Sequence, residues 1–211
     1  MLAGCGGSQT SIPPTGAISQ SSAITHLRMA TSSGCGSQCC PALTGGTGIL
    51  PDGDFSQATN PGDHGPGYAK GYSFAPDWVV SKGNINFDGT GVWGDGLSGY
   101  CSVDLDGYEP GGIKTNRFST EQGASYTLSF DLSGNCGGQP KIKNVQISID
   151  EQVAQYTWNT ASSNCAGNGD YTTESWGFKA TKQTAILKVT SLDAKCCGYG
   201  PVIEQIVITK N

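Results

Sequence analysis

The sequence is short of charge, of histidine and of long apolar runs. Only 14% of its residues are Asp, Glu, Lys or Arg, and the net charge is -5. No run of basic residues occurs, and phosphate neutralisation needs clustered Lys and Arg, so the chain is not expected to bind nucleic acid. No apolar segment approaches the roughly 18 residues a membrane-spanning helix requires. Histidine is limited to His26, in a Ser/Gly/Thr/Pro-rich stretch, and His64, in the loop NPGDHGPG. That leaves a Ser-His-Asp or Cys-His catalytic machine without support. Strong helix formers are sparse, and no long stretch has helical period.

Glycine and cysteine, by contrast, are plentiful. The 32 glycines among 211 residues are about twice the usual share of roughly 7%. Nine cysteines are too many for an ordinary reduced cytosolic protein. They do not fall into paired CxxC spacing with nearby histidines, so disulfides are the better reading than a structural zinc. The length allows one domain of ordinary size plus a tail.

Residues 1–47 are rich in Ser, Gly, Thr and Pro without a sustained period, which reads as a disordered N-terminal linker. The segment Ile24 to Met29 is the one apolar patch in it, a brief helix or an added strand. From residue 48 to 211 the pattern changes to short alternating runs between glycine-marked turns. Strands are predicted at 49–55, 74–80, 84–88, 100–105, 112–118, 125–132, 141–149, 153–159, 173–180, 184–190 and 201–209. In the sixth, Tyr126, Leu128, Phe130 and Leu132 alternate with Thr127, Ser129 and Asp131, the pattern of a half-buried antiparallel strand. In the seventh, Val145, Ile147 and Ile149 share one face and Gln146 and Ser148 the other. This many short strands in one domain predict an all-β, two-sheet antiparallel β-sandwich of jelly-roll type.

At the start, Leu2-Ala3-Gly4-Cys5 resembles the lipobox of bacterial lipoproteins, in which the cysteine is lipidated. The charged and apolar stretches usual before such a box do not precede it here. The box accounts for the odd cysteine and leaves eight: Cys35, Cys39, Cys40, Cys101, Cys136, Cys165, Cys196 and Cys197. Cys136 and Cys165 are expected to pair, because they lie in loops on either side of a predicted hairpin. The vicinal pairs Cys39-Cys40 and Cys196-Cys197 are expected to bridge each other.

Read in order, the domain offers a series of matches: DGDF (Asp52 to Phe55), APDWVV (Ala75 to Val80), GVW (Gly91 to Trp93), SVDLDG (Ser102 to Gly107), GGIKTNRFST (Gly111 to Thr120), GASYTLSFDLSGN (Gly123 to Asn135), ESWGFKAT (Glu174 to Thr181) and YGPVIEQIVI (Tyr199 to Ile208). In these motifs the chain resembles the choice-of-anchor C family of bacterial surface proteins and the similar plant cell-wall family named domain of unknown function 642. The resemblance spans about residues 48–209. It implies a galactose-binding-like jelly roll, association with cell-wall or extracellular polysaccharide, and no enzymatic activity. Where the family usually has Asn-Gly-x-Phe-Glu, this chain has Asp52-Gly53-Asp54-Phe55-Ser56, and where it usually has an aspartate near the end, this chain has Glu204. In related carbohydrate-binding jelly rolls those acidic positions help hold a structural calcium. By that resemblance Asp52, Asp54 and Glu204 are the candidate calcium ligands, or else solvated turn acids.

Sugar recognition uses flat rings against pyranose faces and amides or carboxylates for the hydroxyls. The candidate ligand-binding residues are Trp93, Tyr100, Asn135, Tyr156, Trp158 and Asn159. Tyr156 and Trp158 share one strand face, either a sugar platform or simply core. Trp93 lies beside a polar turn, and Asn135 either contacts ligand or closes an Asx turn. Trp78 and Trp176 are expected in the core. Asp104 and Asp106 stand two apart, but nothing identifies the pair flanking a cleft that a glycosidase needs. The expectation is therefore an extracytoplasmic, lipid-anchored protein of the bacterial surface or periplasm that binds a cell-wall or matrix polysaccharide without catalysis. The alternatives are a structural or adhesive surface lipoprotein with a protein partner and a glycan-processing enzyme.

Overall fold

The computed structural model describes residues 40–58, 67–89, 100–161, 170–194 and 198–211. The strands are β1 (Tyr68–Ala69), β2 (Trp78–Lys82), β3 (Asn84–Asp88), β4 (Ser102–Asp104), β5 (Gly112–Thr115), β6 (Phe118–Ser119), β7 (Ser125–Gly134), β8 (Ile142–Ile149), β9 (Gln152–Asn159), β10 (Thr172–Lys179), β11 (Thr184–Ala185), β12 (Leu187–Ser191) and β13 (Pro201–Lys210). One sheet has the order β1-β3-β4-β13-β7-β10 and the other β2-β5-β12-β8-β9, with β6 and β11 as a small separate pair. Every paired strand is antiparallel. From β4 onward the chain passes repeatedly between the two main sheets, and that winding makes the sandwich a jelly roll.

Strand alternation fills the space between the sheets. Leu128, Phe130 and Leu132 of β7 and Ile203, Ile206 and Ile208 of β13 face Val145, Ile147 and Ile149 of β8 and Leu187 and Val189 of β12. At one end Phe55, Phe74, Trp78 and Phe87 form an aromatic cluster, with Phe55 and Trp78 edge-on at 5.2 Å. The Trp78 indole donates to the Asp52 carbonyl at 2.8 Å, so its one polar atom is satisfied inside the core.

The predicted first strand is not a strand. Asp52 and Phe55 take φ of 48° and 57°, and left-handed residues break an extended run. The segment instead turns tightly against β13. Ile49 N donates to the Ile208 carbonyl and Ile206 N to the Gly53 carbonyl. A Cβ on Gly53 would sit 2.0 Å from the Ile206 carbonyl oxygen, so glycine is what permits this approach. The short β1 lies outside the predicted strands.

The end of the expected linker is held to the sandwich. Cys40 is bonded to Cys101, immediately before β4, and Leu43 N donates to the Asp54 carboxylate at 2.7 Å. This corrects the expectation that Cys40 joins the Cys196-Cys197 pair. Cys136 is disulfide-bonded as well.

Candidate functional site

The two sheets differ sharply in charge. The five strands of the β2-β5-β12-β8-β9 sheet contain no Asp or Glu and four lysines: Lys82, Lys114, Lys143 and Lys188. The six-stranded sheet carries Asp88, Asp104, Asp131, Glu174 and Glu204.

Their outer surfaces differ too. On the six-stranded sheet Asp104 pairs across from Val202 and Asp88 from Ser102, at outward positions. All four side chains are nevertheless buried, as is Glu204. Tyr171 lies over them, with its hydroxyl among Ser102, Glu204 and Asp88, and burial drives its pKa well up. Asp104 accepts hydrogen bonds from the Asn135 amide at 2.7 Å, the Asp106 backbone at 2.9 Å and the Gly200 backbone at 3.0 Å. Burial lifts its pKa to about 8 against the pull of those bonds. Burial likewise lifts Asp106 to about 6, opposed by the Ser191 hydroxyl, Lys143 and Lys82. Lys143, itself buried, donates to the Tyr199 carbonyl. Asp193 receives the backbone and side-chain N–H of Asn144. These groups tie strand ends together inside the protein.

The outer face of the five-stranded sheet is open. Its registers arrange the outward side chains in rows that cross the strands. One row runs Val79, Lys114, Lys188, Ser148, Val153, and the next runs Lys82, Gly112, Thr190, Gln146, Gln155. A third joins Asn144 to Thr157 and a fourth Ile142 to Asn159. Leu192 lies beside Asn144, to whose carbonyl it donates. Strands about 4.8 Å apart make such a face about 19 Å across. Gln155 donates to Gln146 at 3.2 Å, which leaves further donor and acceptor capacity on both amides. Val153, Gln155, Thr157 and Asn159 along the edge strand β9 are exposed.

The residues singled out in the sequence are scattered. Asn135 is buried, donating to Asp104 and accepting from Gly137 N at 2.9 Å, so it closes a turn. Tyr156 and Trp158 share a face, and it is the core side. Tyr156 packs edge-on to Phe130 at 5.1 Å, and its hydroxyl donates to the Ser175 carbonyl at 2.9 Å. Trp158 packs on Gly134, where a Cβ would lie 2.6 Å from its ring. Tyr156 thus ties β9 to β10 while Trp158 covers the end of β7, and the two rings, packed against the core, do not form an exposed platform. Asn159 is exposed on the open face, with its side chain accepting from Ala161 N. Tyr100 is half-buried next to Cys101. Trp93, Cys5 and Cys165 lie outside the described residues.

The proposed calcium ligands do not converge. Asp54 accepts from Leu43 N and Ser56 N, and Asp52 accepts from Gln57 N and the Ser56 hydroxyl. Glu204 lies on β13 beside Tyr171 and accepts from Gln205. Among the described residues no group of three or more His, Cys, Asp or Glu is arranged to hold a metal ion, so the set does not fit calcium. Sequence reasoning missed the open face, whose amides and hydroxyls read as ordinary solvated positions. The one available signal was the lack of acids in these strands.

The family model described as "Protein of unknown function (DUF642)" matches residues 48–209. Halomucin of Haloquadratum walsbyi (strain DSM 16790 / HBSQ001) is 30% identical over 134 residues, covering 64% of this chain but only 1% of that protein. Among solved structures, the chain is similar to TmCBM61 in complex with β-1,4-galactotriose, at TM-score 0.47 and 11% identity over 78% of this chain and 99% of that one. It is also similar to a CBM35 from Paenibacillus barcinonensis, at TM-score 0.45 and 12% identity over 70% and 100%.

Proposed function

The chain belongs to the DUF642 family, and we propose that it is a non-catalytic carbohydrate-binding protein that works outside the cytoplasm, on a cell-wall or matrix polysaccharide. The observation that carries this reading is the open face of the five-stranded sheet. There Gln146, Gln155 and Asn159 stand among Thr157 and Thr190, beside Asn144, whose amide is already bonded to Asp193, with apolar spots at Val79 and Val153. Amides donate and accept at once, as a sugar's hydroxyls do, and small apolar areas suit the C–H faces of a pyranose. The Cys40–Cys101 bridge supports an oxidising compartment. Leu2-Ala3-Gly4-Cys5 supports a lipid anchor at the bacterial surface.

Native electrophoresis of the full chain through gels containing single polysaccharides tests the reading. Retardation by at least one glycan, weakened in Q146A/Q155A, is expected. Free migration in every gel, or retardation unchanged in that variant, overturns the placement on this face. A second reading, an adhesive module with a protein partner, is favoured by Ile142 and Leu192, 51% and 41% exposed at one end of the same face.

A further inference from the structure

Lys114 of β5 and Lys188 of β12 are directly opposite each other on the open face. Like charges at facing cross-strand positions repel and weaken the sheet, so the pairing is a local cost. Neither lysine is paired with a carboxylate among the described residues, and no acidic residue lies in any of the five strands. Lys82 flanks them one row away, across from Gly112. Its ammonium donates to the Ser191 carbonyl at 3.0 Å and lies within electrostatic reach of Asp106, so the charge offered by the face rests on Lys114 and Lys188. Gly112 puts no side chain between these lysines, and a Cβ there would lie 2.8 Å from the Val189 carbonyl oxygen, so the backbone is closely packed beside the pair. All this occurs in a chain whose net charge is -5. The positive charge is therefore local to this face and not a property of the whole surface.

We propose that the face takes an anionic polysaccharide, with Lys114 and Lys188 neutralising its carboxylate or sulfate groups while the Gln146–Gln155 row bonds its hydroxyls. This rests on the carbohydrate reading above and names the class of glycan. A lysine ammonium is a compact charge on a flexible stem, suited to acidic groups whose exact orientation varies along a polymer. Attraction between exposed charges is screened within about 8–10 Å at ordinary ionic strength, so binding should weaken with added salt.

The test uses the full oxidised chain with polygalacturonate, dextran sulfate and neutral dextran, each titrated at low and at physiological salt. The K114Q/K188Q variant is compared with K179Q/K182Q, which removes the same charge from exposed positions outside the five-stranded sheet. Thermal melting checks that both variants fold. The expected result is binding to one or both acidic polymers that weakens about tenfold in K114Q/K188Q and little in K179Q/K182Q. Polygalacturonate and dextran sulfate separate carboxylate from sulfate as the group recognised. Equal loss in both variants, or acidic-polymer binding unchanged in K114Q/K188Q, overturns the assignment. Binding to neutral dextran alone overturns the acidic class but leaves the carbohydrate reading standing. Binding to none of the three overturns the acidic class too, and the wider gel series then decides the carbohydrate reading.

Discussion

The Asn135 side-chain amide donates to the Asp104 carboxylate at 2.7 Å, with both residues buried. Asn135 directly follows β7 and opens the turn there, and Asp104 ends β4. Through its bond from Gly200 N, Asp104 also holds the approach to β13. One buried acid thus fastens three segments. Replacing Asn135 with Ala removes one of its donors, which should cost about 1–3 kcal/mol. That bond favours the charged carboxylate, so the loss measured by denaturant unfolding should be larger at pH 8 than at pH 5.

The same acid sets a pH dependence of stability. Burial raises Asp104 to about 8, and Asp52 and Asp106 to about 6, against about 3.9 for an unfolded aspartate. A raised folded pKa means that the folded state holds the proton more tightly. Its contribution is complete below about pH 4 and is lost as pH rises through 6 and then 8. The buried Lys143, lowered by desolvation, acts in the opposite sense at higher pH, nearer the ordinary lysine range. The melting temperature should therefore be about 5 °C or more lower at pH 8 than at pH 5. Asp104→Asn should flatten that difference.

Cys40 and Cys101 close a loop of 61 residues. Removing the bridge with Cys40→Ala and Cys101→Ala should destabilise the domain by about 2–5 kcal/mol. Limited proteolysis should then cut within residues 40–47, while the β7-β13 pair stays intact.

Tyr156 packs on Phe130 and bonds the β10 backbone. Tyr156→Ala should lower stability by about 2 kcal/mol and leave glycan affinity unchanged. A loss of affinity without a loss of stability would restore Tyr156 to the binding surface.

Much of the fold was legible in the sequence. The alternation in β7 and β8 marks both the strands and their buried faces, because one set of positions is wholly apolar. Strand β9 resists the same reading. Its two faces, Gln152, Ala154, Tyr156 and Trp158 against Val153, Gln155, Thr157 and Asn159, are both mixed, so only the sheet partner decides which is inward. The 49–55 segment misled because its apolar ends mask two left-handed residues, Asp52 and Phe55. Lys114 and Lys188 lie 74 positions apart in sequence and meet only through the β5-β12 register. The candidate face therefore could not be assembled before the strand order was known.

The most direct measurement follows the side-chain amide NMR signals of Gln146 and Gln155 as a retarding polysaccharide, cut to soluble oligosaccharides, is titrated into the labelled chain. The account predicts that these signals shift first and together, joined by Asn144 and Asn159. Saturable shifts confined to amides elsewhere, such as Asn84, Asn86 or Asn116, with Gln146 and Gln155 unmoved, would contradict it.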